Sequence, residues 1–297
     1  MLLSHNKNQC TMRLDGRRES TNVDDRRGMS KGRMAGGVGI GGVIIIGLLT
    51  LLLGGNPGDV IDLATQMGGY TTESNYIPTA EEEELAKFSK QILAGTEDVW
   101  TSIFNQYGMT YEPPHLVLYS GTVQTSSGTA SSEMGPFYNS ADQCVYIDLS
   151  FFTSMKREIG ADGDFAYAYV IAHEVGHHVQ YLLGTLQKAH QQMSRVSEKE
   201  SNQISVRLEL QADFYAGVWA YNDNKMFGSL EEGDIDEGMA VASKIGDDYL
   251  QKKAYGRTMP DSFNHGTSAQ RSRWLKKGLS TGDIRQGDTF APAYSSL

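Results

Sequence analysis

Residues 172–180 read AHEVGHHVQ, and His173, Glu174 and His177 stand within them in the order H-E-x-x-H. At 100° per residue, imidazoles four apart lie one turn apart on a single helix face, so both can reach one metal ion. Glu174, offset by one residue, can reach toward a water beside that ion without binding the ion itself. The chemistry this permits is hydrolysis, with zinc polarising a carbonyl and the carboxylate taking a proton from the attacking water. His178 is rotated a further 100° and does not fit the same site; it packs or faces solvent beside it.

The pattern by itself occurs by chance in on the order of one chain in a hundred of this size. It therefore needs a helix to carry it and a third ligand from another element. The stretch DFAYAYVIAHEVGHHVQYLLG has Asp164 as a cap candidate and neither proline nor glycine before Gly176, so it reads as a helix. Periodicity predicts four helical segments in all, at about 164–186, 190–222, 231–254 and 267–278. Upstream, TAEEEELAKFSKQILAG reads as an amphipathic helix capped by Thr79 and broken at Gly95. From Leu116 to Phe152 the texture changes to alternating apolar residues with a Ser/Gly-rich turn, which predicts a small antiparallel sheet. Helices packed on a short sheet make an α+β domain.

A catalytic zinc site takes three protein ligands and keeps one position open. The segment VRLELQADFYAGVWA offers Glu209 and Asp213, four apart on one side of an otherwise apolar helix. One of them can coordinate, and the other can accept a histidine ring N–H and so fix the ring's tautomer. A donor for the tetrahedral oxyanion is also required. His265, in the Gly-flanked loop DSFNHGTSAQR entering a helix, is the first candidate and Arg271 the second. His115 and His190 read as surface residues, and the acidic run EEGDIDEG, which lacks the twelve-residue calcium-loop pattern, reads as a helix start. For the substrate, either Gly135–Tyr138 or Leu116–Val123 can serve as a sheet edge that pairs with an extended peptide.

Composition adds a second layer. Residues 36–55, GGVGIGGVIIIGLLTLLLGG, run for twenty positions without a charge, long enough for a helix to cross about 30 Å of hydrocarbon. The 35 residues before them hold eight Lys/Arg against four Asp/Glu, a net +4, which leaves a net −14 on the rest of a chain totalling −10. The positive-inside bias then keeps the N-terminus cytoplasmic and places the acidic remainder outside, with no basic footprint for nucleic acid. The expected organisation is a disordered cytoplasmic tail (1–35), a transmembrane helix (36–55), a linker (56–78) and a folded domain (79–297), the whole a single-pass cell-membrane protein held in the lipid bilayer. Cys10 and Cys144 would lie on opposite sides of the bilayer, so neither a disulfide nor a cysteine zinc site is expected; Cys144 reads as a half-buried strand thiol.

HEVGHHVQ, then ELQADFYAGVWA, then HGTSAQR, preceded by GRRESTNVDDRRG, resembles the putative neutral zinc metallopeptidase family of membrane-anchored bacterial proteins, over essentially Met12 to Ala291. The resemblance implies a gluzincin-like zincin fold with His173, His177 and Glu209 as zinc ligands, Glu174 as general base and Asp213 behind the ligands. It implies an endopeptidase acting on peptide or protein substrates. Two departures stand out: PFYNSADQC lacks the cysteine after Tyr138 that the family carries, and the eleven residues before Met12 look foreign to it. Two other readings differ in class, a catalytically silent zinc-binding interaction module and a metal hydrolase of non-peptide amides or esters. A retained Glu174 disfavours the first, because a structural site needs no base beside its ligands.

Overall fold

The computed structural model describes residues 12–28 and 76–297. In chain order these form β1 (Val23–Asp25), α1 (Ala80–Gln106), β2 (His115–Tyr119), β3 (Thr122–Thr125), β4 (Gly128–Ser131), β5 (Phe137–Asn139) and β6 (Cys144–Asp148). The helices α2 (Ser150–Ile159), α3 (Asp164–Leu182), α4 (Thr185–Met193), α5 (Glu198–Phe227), α6 (Asp234–Lys244), α7 (Asp247–Tyr255) and α8 (Ser268–Thr281) follow. The domain is α+β. Reciprocal capping boxes start three of the helices, pairing Thr79 with Glu82, Ser197 with Glu200 and Thr267 with Gln270.

The main sheet has the order β1-β2-β6-β5. It is mixed rather than antiparallel: β1 and β6 flank β2 in parallel, and only β5 runs antiparallel, to β6. The expected antiparallel element is a separate hairpin of β3 and β4. Gly121, at φ +73, turns the chain out of β2 and into that hairpin, so 116–123 is two strands and not one. The hairpin and β5 carry the chain back to the start of β6, which is why β2 and β6 run the same way. The main core draws on β2 and β6 of the sheet and on α1, α3 and α5, with Trp100, Trp219, Phe165 and Phe214 among its buried side chains.

Two helix crossings are made backbone to backbone. A Cβ on Gly176, in the middle of α3, would lie 3.0 Å from the Ala212 carbonyl oxygen and 3.1 Å from its Cα on α5. A Cβ on Gly278 of α8 would lie 2.1 Å from the Phe214 carbonyl oxygen, also on α5. A Cβ would overlap backbone at Gly278 and would fit at Gly176 only if α5 gave by a few tenths of an ångström, so α5 is drawn tightly against both α3 and α8.

Several expectations are corrected here. Helix α1 runs unbroken through Gly95, whose missing side chain leaves room for an ion pair: a Cβ there would meet Asp223 Oδ1 at 2.8 Å and Arg17 Nη2 at 2.9 Å. The helix expected at 164–186 ends at Leu182, and the left-handed Gly184 starts α4; the one expected at 231–254 divides at Gly246 into α6 and α7. Ser150–Ile159, expected as strand continuation at its start, is the helix α2.

Residues 12–28, expected as a disordered tail, are ordered and belong to the same domain. Val23, Asp24 and Asp25 pair in register with Leu116, Val117 and Leu118. Arg17 Nη2 meets Asp223 at 2.8 Å, Ser20 Oγ donates to Glu97 at 2.6 Å, and Met12 is buried. Gly28 touches Tyr76: a Cβ on Gly28 would fall 2.4 Å from the tyrosine ring, so the two described segments meet at this point.

That arrangement overturns the membrane topology. A helix crossing a bilayer once between residues 28 and 76 would put β1 and its hydrogen-bonded neighbour β2 on opposite sides. Among the described residues no helix is long and apolar enough to cross a membrane, and the stretch 36–55 on which the transmembrane expectation rested lies outside them, as does Cys10. The N-terminal transmembrane helix, the lipid bilayer as partner and the single-pass cell-membrane localisation are accordingly withdrawn.

Candidate metal centre

Helix α3 carries His173 and His177 on one face, and their rings stand edge to face with centroids 4.9 Å apart. The Gly176–Ala212 contact brings α5 close enough for Glu209 to meet both rings. His173 Nε2 lies 3.2 Å from one Glu209 carboxylate oxygen, and His177 Nε2 lies 3.4 Å from the other. One ligand atom from each of the three residues falls within 4.8 Å of the others, and all three side chains are buried. Two imidazoles and a carboxylate form a donor set suited to a borderline divalent ion.

A second observation fits the same reading. Glu174 Oε2 is buried without a hydrogen-bond partner, although a buried polar atom normally has one. Burial pushes the Glu174 carboxyl above the ordinary range, while His173, His177 and the Tyr138 backbone N–H pull the other way. Glu209 is held well below its usual range: burial alone would raise it, but the two histidines outweigh that.

Each histidine is oriented from behind, and the two supports differ in kind. His173 Nδ1 donates to Asp213 Oδ1 at 2.8 Å, which leaves Nε2 facing Glu209. Asp213 also accepts from Arg271 Nε and Nη2, each at 2.9 Å, and from the Tyr169 hydroxyl. The Gly278–Phe214 crossing is what brings α8, and Arg271 with it, to Asp213. His177 Nδ1 donates to Gln180 Oε1 at 2.9 Å; Gln180 Nε2 donates to the Leu208 carbonyl and Gln211 Oε1; Gln211 Nε2 donates to the Gly287 carbonyl. One histidine thus rests on a charged network and the other on a chain of amides.

His178, one position beyond the pair, is fully buried and points away. Its Nδ1 meets the Tyr138 hydroxyl at 2.9 Å and its Nε2 the Glu112 carbonyl at 2.7 Å, which fastens β5 against α3. Burial lowers its pKa to about 4. His265 lines the same cleft as His173, Glu174 and Glu209. Asp247 clasps it by three contacts: Oδ2 accepts from the His265 and Gly266 backbone N–H groups and Oδ1 meets the ring Nδ1 at 3.1 Å. Burial would lower the imidazole's pKa, but Asp247 outweighs it and the value is raised. Arg271, the alternative to His265, is committed to Asp213. His115 is exposed, whereas His190 is half-buried.

Gln180, Gln211 and Asp247 were not foreseen. A glutamine at position 180 sits three residues after His177, a spacing that puts it on the adjacent turn, and that is the one signal the sequence held. Of the two candidate edges for an extended peptide, Leu116–Tyr119 is interior, with β1 and β6 on either side. Strand β5 is at the sheet's margin, and Gly135 and Pro136 lead from the cleft into it. Cys144 is half-buried at the start of β6; burial, with Asp142 adding, pushes its thiol up to about 11.

Comparison with known proteins agrees with this geometry. A family model described as putative neutral zinc metallopeptidase matches residues 12–290. The chain is 49% identical over 286 residues to the uncharacterized protein YpfJ of Escherichia coli K12, covering 94% of this chain and 99% of that one. It is 43% identical over 193 residues to the uncharacterized protein Rv2575 of Mycobacterium tuberculosis, covering 62% of this chain and 64% of that one. No solved structure matches the chain.

Proposed function

Because the chain belongs to the putative neutral zinc metallopeptidase family, we propose that it is a zinc-dependent endopeptidase with His173, His177 and Glu209 as its metal ligands. The observation that carries the reading is the coincidence of a buried His-His-Glu group with an unpartnered carboxylate oxygen on Glu174 beside it. Zinc bound there would polarise a peptide carbonyl and make a water nucleophilic near neutral pH. Glu174, its pKa raised by burial, takes the proton from the attacking water and returns it to the leaving amine. His265, held by Asp247 at the wall of the cleft, donates to the oxygen that gains charge as the carbon becomes tetrahedral. Asp213 and Gln180 keep the ligand rings in the tautomer that presents Nε2. The margin of β5 pairs with an extended peptide, which admits varied sequences to one cleft.

The test is cleavage of a broad peptide library by the zinc-loaded chain and by Glu174→Gln. Loss of turnover by a factor of about 10² or more, with zinc content unchanged, is expected of the variant. His265→Ala should lose about 10²-fold in kcat. Zinc binding without any Glu174-dependent cleavage would overturn the assignment.

A further inference from the structure

His178 has no place at the candidate metal centre, yet it is fully buried and both its ring nitrogens are bonded. Its partners fix its tautomer. The Glu112 carbonyl, 2.7 Å from Nε2, can only accept, so Nε2 carries the ring proton. In the neutral ring Nδ1 is then an acceptor, and the Tyr138 hydroxyl donates to it at 2.9 Å. Glu112 is followed by Pro113 and Pro114, whose rings restrict the backbone and make that carbonyl a stiff anchor.

His178 stands four residues after Glu174, so the two lie one turn apart on a strip of α3 beside the strip that carries His173 and His177. Tyr138 spans them: its backbone N–H faces the Glu174 carboxylate, and its hydroxyl reaches His178. Side chains alternate along β5. Phe137 stacks on Tyr146 of β6 at 4.9 Å, which leaves Tyr138 to face α3, its ring 5.4 Å from that of His178. Strand β5 is three residues long and lies at the sheet's margin, so its ladder to β6 is a weak hold. The hydroxyl's bond to His178 is a second attachment, and it fixes where the Tyr138 N–H sits over α3.

We infer that His178 is a positioning residue: through the Tyr138 hydroxyl it pins β5 onto α3 and so holds the Tyr138 N–H against the carboxylate of Glu174. The inference rests on the peptidase reading above for the role of Glu174, and adds to it what keeps that carboxylate aimed. A reacting group misplaced by about 1 Å loses rate by up to about 10².

The test follows three readouts on the zinc-loaded full chain: kcat and KM on a peptide that the wild type cleaves, zinc content, and amide hydrogen exchange at residue 138. Tyr138→Phe keeps the ring and removes the hydroxyl, whereas His178→Gln keeps a donor for the Glu112 carbonyl and removes the ring acceptor. Each should lower kcat by about tenfold, more than it raises KM, with zinc content unchanged. Each should also speed exchange at residue 138 by about tenfold. The two changes break one link, so the double variant should lose no more than either single one. Tyr111→Phe is the control. Its ring lies 5.9 Å from that of His178, but its buried hydroxyl has no partner, so its removal touches neither bond and should leave every readout at the wild-type value. Glu174-dependent cleavage unmoved by Tyr138→Phe and His178→Gln, losses that add in the double variant, or an equal loss in Tyr111→Phe overturns the positioning role and leaves the peptidase intact. Faster exchange at residue 138 in both variants, with no Glu174-dependent cleavage by the wild type, supports the clamp and overturns the peptidase.

Discussion

Gly176 lies between the two candidate histidine ligands and against the backbone of Ala212, and a Cβ added to it would come within 3.0 Å of the Ala212 carbonyl oxygen. Glu209 is one turn from Ala212, so the same contact sets how far the carboxylate stands from both rings. Alanine for an interior helix glycine ordinarily gains about 0.5–1 kcal/mol. At Gly176 the crowding should cancel that gain while metal affinity falls. Gly176→Val, with no such compensation, should cost about 1–3 kcal/mol. Urea unfolding and chelator competition measure the two effects; tight zinc binding by the valine variant would refute the link.

The N-terminal segment makes a different prediction. Asp223 is buried against Arg17, with the Ser229 hydroxyl as its other partner. Removing the guanidinium in Arg17→Met should destabilise the fold by about 3 kcal/mol, because an unpaired buried carboxylate remains. Changing both members, Arg17→Met with Asp223→Leu, should recover part of that loss. A chain beginning at residue 79 would lack β1 and should fold poorly, whereas one joining Gly28 to Tyr76 by a short Gly/Ser connector should keep the pairing of β1 with β2. Hydrogen exchange at Leu116 to Leu118 reads this directly.

The supports behind the histidines should be separable. Asp213→Asn weakens the acceptor for His173 and upsets Arg271, and should reduce zinc affinity by about 10–100-fold. Gln180→Leu removes an uncharged acceptor from His177 and should cost less, about tenfold. Competition with a chelator of known affinity ranks them; the reverse order would show that the charged network is not the stronger support.

A pH dependence follows from the start of α3. Glu237 accepts from the Phe165 backbone N–H, and burial, with Asp234, Asp164 and Asp162 adding, raises its carboxyl from 4.5 to about 7. Asp164 is raised to about 6 for the same reasons. A carboxyl whose folded pKa lies above its unfolded one favours the fold most when protonated. Its contribution is complete below about 4.5 and is lost as pH rises through about 7. Glu237→Gln, which keeps an acceptor and carries no charge, should therefore gain on the wild type between pH 5 and pH 8. The group is half-buried and screened by solvent, so the gain should stay near or below about 1 kcal/mol. Parallel stability curves for the two proteins would sink the idea.

The centre was more legible in the sequence than the fold around it. Spacing put His173 and His177 on one face, and Glu209 and Asp213 on another, because helical periodicity acts over a few residues. Gln180 gave only its spacing from His177, and Gln211 and Asp247 were silent, since a neutral amide or a helix-start aspartate carries no pattern that separates a support from a surface group. Helix α2 was missed because its first residues, Ser150 to Phe152, continue the apolar texture of β6. Residues 12–28 looked unstructured for a physical reason: they attach largely through backbone pairing and arginine ion pairs, and their apolar contacts, Met12, Leu14 and Val23, follow no helical or strand period. Hydropathy measured the length and charge of 36–55, but it holds no information on whether the flanking segments meet, and they do.

Helix α5 is braced from both ends of the polypeptide. Arg17 holds its Asp223, while the Gly287 carbonyl holds Gln211 and the Thr289 carbonyl accepts from Arg207. The helix that carries Glu209 and Asp213 is therefore clamped by residues about 270 positions apart in the sequence, and loosening either clamp should disturb the spacing of the candidate ligands before it unfolds the domain.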